Sequence, residues 1–303
     1  MKPTLVALSA IAVVAVVVLF MMGRKNGKSS GPQNPAVRDI QQLTAHLFRD
    51  AVSVAKSATV TKSYFGGRPP LSPDYSWPTR NGRPLSFLAC IDCSELPRSA
   101  ELDWLPDSGL LLFFYDLQDQ PWGFDPKDRG GSATVYIPAT EVIDRSSFAS
   151  PPTPLSADSV LPQRYVVFRL SKLPPSWDTP ELQAVGLTDA EMDLFMEQRG
   201  ALYGEQPHHQ IGGFADPIQN PEMDEECQLV THGLYCGDAT GYNDPRAVKL
   251  KEDAGEWSLL FQMDTDDDLH IMWGDAGMIY FWVRRDDARK LKFDSTWVIL
   301  QCG

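Results

Sequence analysis

The chain writes one pattern of glycine and apolar residues twice. "FGGRPP" (65–70) is matched by "IGGFADP" (211–217), "FLACID" (87–92) by "LLFQMD" (259–264), and "GLLLFFYD" (109–116) by "GMIYFWVR" (277–284). The order is the same each time: an apolar residue before Gly-Gly, an apolar run ending in Asp, a loop, then Gly and a second apolar run. A third apolar run follows each set, "RYVVFRL" (164–170) and "TWVILQC" (296–302). Short runs rich in Phe, Val, Leu and Tyr, bounded by Gly, Pro and Asp, have the length and composition of strands. Their continuous hydrophobicity predicts burial on both sheet faces. This doubling constrains the fold to an internally duplicated α+β domain with antiparallel-rich sheets and few helices. Copy one spans about residues 60–170 and copy two about 205–303.

The copies differ where insertions sit. From the second glycine to the strand-ending Asp is 25 residues in copy one (67 to 92) and 51 in copy two (213 to 264). The extra length carries "DEECQLVTHGLYCGDATGYNDPRA" (224–247), whose "NDP" predicts a turn and a helix start. Between the copies, Thr188 and Glu191 form a capping box that opens a helix through about Gln198. Ahead of copy one, Val37, Ile40, Leu43, Leu47, Ala51, Val54 and Ala55 fall on one stripe at helical spacing. Together with Asn34 as a cap and Pro35 at the first position, they predict an amphipathic helix over 35–57.

Residues 3–23 are uncharged and mostly Val, Leu, Ala and Ile. At 1.5 Å per residue, about 20 apolar residues cross the ~30 Å hydrocarbon core of a bilayer. The run ends in Phe20, Met21, Met22 and Gly23, which make a poor cleavage site, so a transmembrane anchor over 1–23 is expected rather than a signal peptide. Residues 24–34 form a polar linker and 35–303 the folded domain. Arg24, Lys25 and Lys28 after the span outnumber the cations before it, which places the domain on the cytoplasmic side. The net charge is −13, and residues 1–33 hold four cationic side chains and no acid, leaving −17 on the remainder. A body this acidic excludes nucleic acid as a partner and suits a basic one. The five cysteines (90, 93, 227, 236, 302) form no disulfide framework, and "CIDC" lacks the second Cys pair of a zinc site. Cys90 and Cys93 on a strand would point to opposite faces as plain buried thiols.

The blocks "GRPLSFLACIDCSELP" (82–97), "GLLLFFYD", "HQIGGFADPIQ" (209–219) and "LLFQMDTDDDLHIMWGDAGMIYFWV" (259–283) resemble the YwqG-like family of bacterial proteins, a domain of unknown function. The likeness covers roughly 60–303. It implies an α+β fold, and brings no activity, cofactor or catalytic residue to carry over. That family usually has Gln and an aliphatic residue where this chain has Cys90 and Cys93, which further weakens a redox or zinc role. With this resemblance, the expected location is the inner membrane of a bacterium, single-pass.

Two stretches carry candidate chemistry. "DTDDDLHIMWGD" places Asp264, Asp266, Asp268 and Asp275 at positions one, three, five and twelve, the spacing of a calcium loop. Leu269 stands where that loop needs Gly, Asp replaces the bidentate Glu, and the flanks are strands rather than helices. No metal site is therefore expected, and Asp264 becomes a turn or capping residue that aligns with Asp92. "PHHQIGG" places His209 and Gln210 beside a glycine pair, aligned with Ser63 and Tyr64 of copy one. Trp273 lies beside glycines, where it can line a pocket. Gly-rich phosphate motifs and nucleophile–base motifs are absent from the sequence, and no cofactor is expected. The residues singled out for binding are His209, Gln210, Asp216, Asp264, Asp266, Asp268, Trp273 and Asp275. The expected function is a non-catalytic, membrane-anchored interaction module for an unknown protein partner, basic in character, of inhibitor or immunity type. The rival is a hydrolase using His209 with Asp216, Glu225, Asp264 and Asp266, and a periplasmic structural role follows if the orientation is reversed.

Overall fold

The structure, a computed structural model, describes residues 38–72, 75–141 and 149–303. The anchor, the linker and the predicted cap at Asn34 lie outside the described residues. Among the described residues no helix is long and apolar enough to cross a membrane.

Twelve strands appear among them. They are β1 (Arg49–Ser57), β2 (Tyr64–Phe65), β3 (Thr79–Arg80), β4 (Arg83–Pro84), β5 (Ser86–Asp92), β6 (Leu110–Tyr115), β7 (Ser132–Ile137), β8 (Arg164–Leu173), β9 (His209–Ile211), β10 (Trp257–Asp264), β11 (Met278–Arg284) and β12 (Trp297–Gln301). The helices are α1 (Ile40–Thr44), α2 (Pro180–Gln183), α3 (Asp189–Tyr203), α4 (Met223–Thr231), α5 (Ala239–Tyr242), α6 (Ala247–Lys251) and α7 (Arg285–Arg289). Apart from the β3–β4 hairpin, the strands form one ten-stranded sheet in the order β12-β11-β10-β9-β1-β8-β2-β5-β6-β7. Every pairing in it is antiparallel.

A central ribbon, β1–β8, is thus flanked by two four-strand sets of matching register. Tyr64 of β2 faces Cys90 of β5, and Gln210 of β9 faces Gln262 of β10, two residues before Asp92 and Asp264 respectively. Asp92 then faces Leu110, and Asp264 faces Met278. Each β5–β6 and β10–β11 pair also carries a register shift at the corresponding place, Phe87/Ala89 and Leu259/Phe261. A bulge bends a strand and raises its twist. Both sets therefore curl toward each other over a shared core in which Phe113 meets Phe261 at 4.8 Å and Phe281 at 5.0 Å between ring centres.

The far edges approach as well. Leu300 N–H donates to Trp122 O (2.9 Å), the Trp297 indole to Gly123 O (2.8 Å), and the Thr296 and Thr134 hydroxyls meet at 3.1 Å. Gly123 has φ +84°, and a Cβ there would lie 1.8 Å from Val298 O, so only glycine fits this seam.

The expected two-faced burial holds: β5, β6, β11 and β12 carry buried side chains throughout, apart from intermediate residues at the ends of β5 and β11. The inner faces share one core, Cys93 included, while Cys90 packs in a separate cluster on the outer face of β5–β6. The long second insertion becomes α4, α5 and α6, which cover the outer face of β10–β12 around Trp257, Tyr280, Trp282 and Ile299.

Three expectations need correction. The helix predicted over 35–57 ends at Thr44, capped at its start by the Asp39 carboxylate, with one 3-10 turn after it; residues 49–57 are a strand. Val52 and Val54 enter the core at the two-residue period of a strand, and the helical stripe through Ala51 and Val54 was a coincidence of the two periods. The 164–170 run is β8 at the sheet centre, not the counterpart of the edge strand at 297–301. The strand beside β6 is instead Ser132–Ile137, whose half-exposed residues hide its apolar pattern. Finally, the capping box at Thr188–Glu191 forms as expected, but α3 runs on to Tyr203.

Candidate binding site

His209 sits on β9 opposite Val54. Its side chain is 1% exposed and packs edge-on against Phe65, 4.9 Å between ring centres. Nδ1 accepts the Asp264 backbone N–H (3.1 Å). With its acceptor nitrogen occupied, the ring carries its proton on Nε2 and donates it to Asp266 Oδ2 at 3.2 Å. Ser63 does the same work beside the other strand set. Its Oγ accepts the Asp92 N–H (2.9 Å) and donates to Glu95 Oε2 (2.7 Å). Imidazole and hydroxyl both accept a strand-end N–H and pass a proton donor to a carboxylate.

The acidic loop is centred on Asp266. Its carboxylate accepts from His209, from the Lys56 ammonium (2.7 Å) and from the Asp268 N–H (2.9 Å). Burial alone would raise this carboxyl; the bonds from His209 and Lys56 outweigh it and hold it at about 2. Lys56 reaches Asp268 as well, at 2.5 Å. The cation among these aspartates is thus the chain's own lysine, delivered by β1. Among the described residues no group of three or more His, Cys, Asp and Glu is arranged to hold a metal ion.

Asp264 uses Oδ2 to accept the His208 N–H (2.8 Å), and burial raises its carboxyl. Asp275 does not join the cluster: it is exposed, and its carbonyl receives the Gly303 N–H (3.1 Å). Nor does Trp273, which is fully buried edge-on against Tyr115, 5.6 Å between ring centres. Its indole N–H has no partner among the described residues.

The partner of Asp216 is His208, which sequence reasoning passed over in favour of its neighbour. Both His208 ring nitrogens face acceptors, Asp216 Oδ2 (3.0 Å) and Gly204 O (3.1 Å), an arrangement that favours the imidazolium form. The Asp216 hydrogen bond is the main cause raising it. Burial works against the Asp216 charge, but His208 and Arg199 (2.5 Å) together lower its carboxyl. Gln262 accepts the Asp216 N–H (2.8 Å) and donates to His208 O (3.0 Å). Gln210 donates to Gly212 O and Phe214 O, both at 2.7 Å, and so closes the glycine turn. Of the predicted residues, His209, Gln210, Asp216, Asp264 and Asp266 thus belong to two clamps on the segment 204–217, completed by His208, Gln262, Lys56 and Arg199.

A different feature opens to solvent. A cleft of about 980 Å³ lies between the start of β1, the loop at 100–104, α2, the segment 213–225 and the start of β10. Seven carboxylates and four Lys or Arg side chains line it, over a floor that includes Phe214, Trp257 and Trp282. Asp50 and Glu101 pair with Lys172 (2.8 and 3.1 Å), Asp103 with Arg289 (3.0 Å), and Glu225 with Lys251 (2.6 Å). Glu181, Glu222 and Asp224 have no Lys or Arg partner among the described residues. Burial, with the Glu225 and Glu222 charges adding to it, raises the Asp224 carboxyl. Of these residues only Glu225 was singled out in the sequence. The cleft's walls come from separate segments, so no local motif marks it.

Sheet, clamps and cleft together define a sheet-dominated α+β domain in which His208, His209, Asp264 and Asp266 are hydrogen-bonded within the chain. The chain belongs to the family described as domain of unknown function DUF1963, whose model matches residues 63–302. No curated protein matches it.

Proposed function

We propose that the chain is a membrane-tethered, non-catalytic binding module whose acidic cleft receives a basic segment of a protein partner. One observation carries this reading: Glu181, Glu222 and Asp224, without Lys or Arg partners among the described residues, line the same cleft as Phe214, Trp257 and Trp282. A lysine or arginine side chain supplies both complements, charge for the carboxylates and an apolar stem or guanidinium plane for the indoles. Residues 3–23 provide the tether, on the cytoplasmic face of a bacterial inner membrane. The matched registers support descent of the two strand sets from one duplicated unit, and the quoted blocks support a YwqG-like member of the family. The engagement of both His209 nitrogens favours binding over hydrolysis.

Fluorescence anisotropy with an arginine-rich peptide tests the cleft. The full chain in detergent binds the peptide, and E222K/D224K weakens binding at least tenfold, about 1.4 kcal/mol. D193K/E197K on α3 makes the same change in net charge and leaves binding within about twofold. Equal loss in both variants, or no binding by the parent, refutes the proposal.

A further inference from the structure

Trp257 also lines a second pocket, of about 400 Å³, together with Arg129, Arg284, Gln228, His232 and Asp253. Gln228 on α4 is 1% exposed. Its Oε1 accepts two hydrogen bonds, from the Trp257 indole (2.8 Å) and from Arg284 Nη1 (2.8 Å). Both lone pairs of the amide oxygen are used, which fixes the carboxamide and leaves its two N–H donors without an acceptor among the described residues. Those N–H donors are not among the buried unpartnered groups, so they open onto the pocket and are free to meet a ligand there.

Two arginines stand beside it. Arg284 is held by Gln228, and Arg129 lies over the Trp297 ring, 5.3 Å from its centre. Neither has a carboxylate partner among the described residues, so both guanidinium groups are available to an anion. His232 donates through Nδ1 to Gln228 O (2.6 Å). Among the lining residues the acid is Asp253, so two guanidinium charges face one carboxylate.

We propose that this pocket binds a small oxyanion of the phosphate class, held by Arg129, Arg284 and the Gln228 amide. Guanidinium groups match the oxygens of phosphate in bidentate pairs, and a tetrahedral anion has enough oxygens for both arginines and the amide at once. The site shares only Trp257 with the acidic cleft and includes none of its seven carboxylates.

Thermal unfolding of the full chain in detergent, with 10 mM inorganic phosphate, acetate or chloride at matched ionic strength, tests it. Phosphate raises the midpoint above chloride and acetate, since a ligand of the native state stabilises it by mass action. Arg129→Gln removes that shift. Arg129 is exposed, so this variant keeps its fold, and Arg284→Gln provides a second one. An equal response to all three anions overturns the phosphate assignment, and a phosphate shift that survives in both variants overturns the site.

Discussion

Glu226 on α4 is 2% exposed, yet only half of its carboxyl is satisfied. Oε1 accepts from Asn220 Nδ2 (2.8 Å) and from the Tyr242 hydroxyl (3.0 Å), while Oε2 has no partner among the described residues. Burial raises this carboxyl from its ordinary 4.5 to about 7, against the two hydrogen bonds that favour the charged form. Between those two values the folded chain holds a proton that the unfolded chain has released. Stability therefore falls as pH rises through the window, at about 1.4 kcal/mol per pH unit, or about 3 kcal/mol in all. Glu226→Gln removes the titration while its amide oxygen keeps both hydrogen bonds. The measurement is urea unfolding of parent and variant at pH 5 and pH 8, followed by tryptophan fluorescence with m held common. Other titrating groups cancel in the difference, so the stability of the variant relative to the parent rises by about 2.5 kcal/mol between the two pH values. A difference that stays constant within about 0.5 kcal/mol means that Glu226 is ionised in the fold well below 7, and the argument from burial fails.

Two further perturbations follow from the clamps and the seam. Asp266→Ala leaves the buried His209 N–H without its acceptor and the Lys56 ammonium with Asp268 alone, and costs about 2 kcal/mol by chemical denaturation. In a double-mutant cycle with Lys56→Met the coupling exceeds about 1 kcal/mol, and additive losses would show that the pair is not an energetic unit. Because Asp266 is held at about 2 against an ordinary 3.8, its contribution persists at neutral pH and is lost only as pH falls through that range. Gly123→Ala forces a side chain onto Val298 O at a left-handed φ. It lowers stability by at least about 2 kcal/mol in the same assay, and a loss under about 0.5 kcal/mol refutes a tight seam.

The sequence made the buried strands legible because a sheet covered on both faces leaves continuous apolar runs, and β5, β6, β10 and β11 all show one. It also set His209 beside Ser63, since each lies just ahead of an apolar residue and a glycine pair, and both side chains accept a strand-end N–H. The misread segments have mixed surroundings. β1 is solvated at its ends and buried only at Ala51, Val52 and Val54, so two periods fit it equally. β7 lies at an edge with half-exposed residues, and its apolar signal is correspondingly faint. Adjacent histidines at the start of a strand point to opposite sides, and nothing local says which side holds the carboxylate. The cleft and the arginine pocket were invisible for another reason: their residues meet only when the sheet curls and the second insertion folds over it.

That curled topology also explains why polar side chains gather near 208–217 and 262–268. β9 is three residues long, and its register with β10 rests on the single facing pair Gln210 and Gln262. A strand this short makes few ladder bonds, so the joint between the central ribbon and β10–β12 is thin in backbone hydrogen bonds. Side chains make up the deficit. Gln262 bonds to both ends of the 208–216 loop, and His209 ties β9 to the end of β10. Lys56 reaches across β9 from β1 to the loop beyond β10. The opposite joint has the same problem in a two-residue strand, β2, and meets it with Ser63 and Glu95. An ion pair whose carboxylate is as buried as that of Asp266 adds little net stability compared with apolar packing, but it disfavours any change of register. The aspartates that imitate a calcium loop are therefore better understood as the fixed end of a strap between strands that are not neighbours in the sheet.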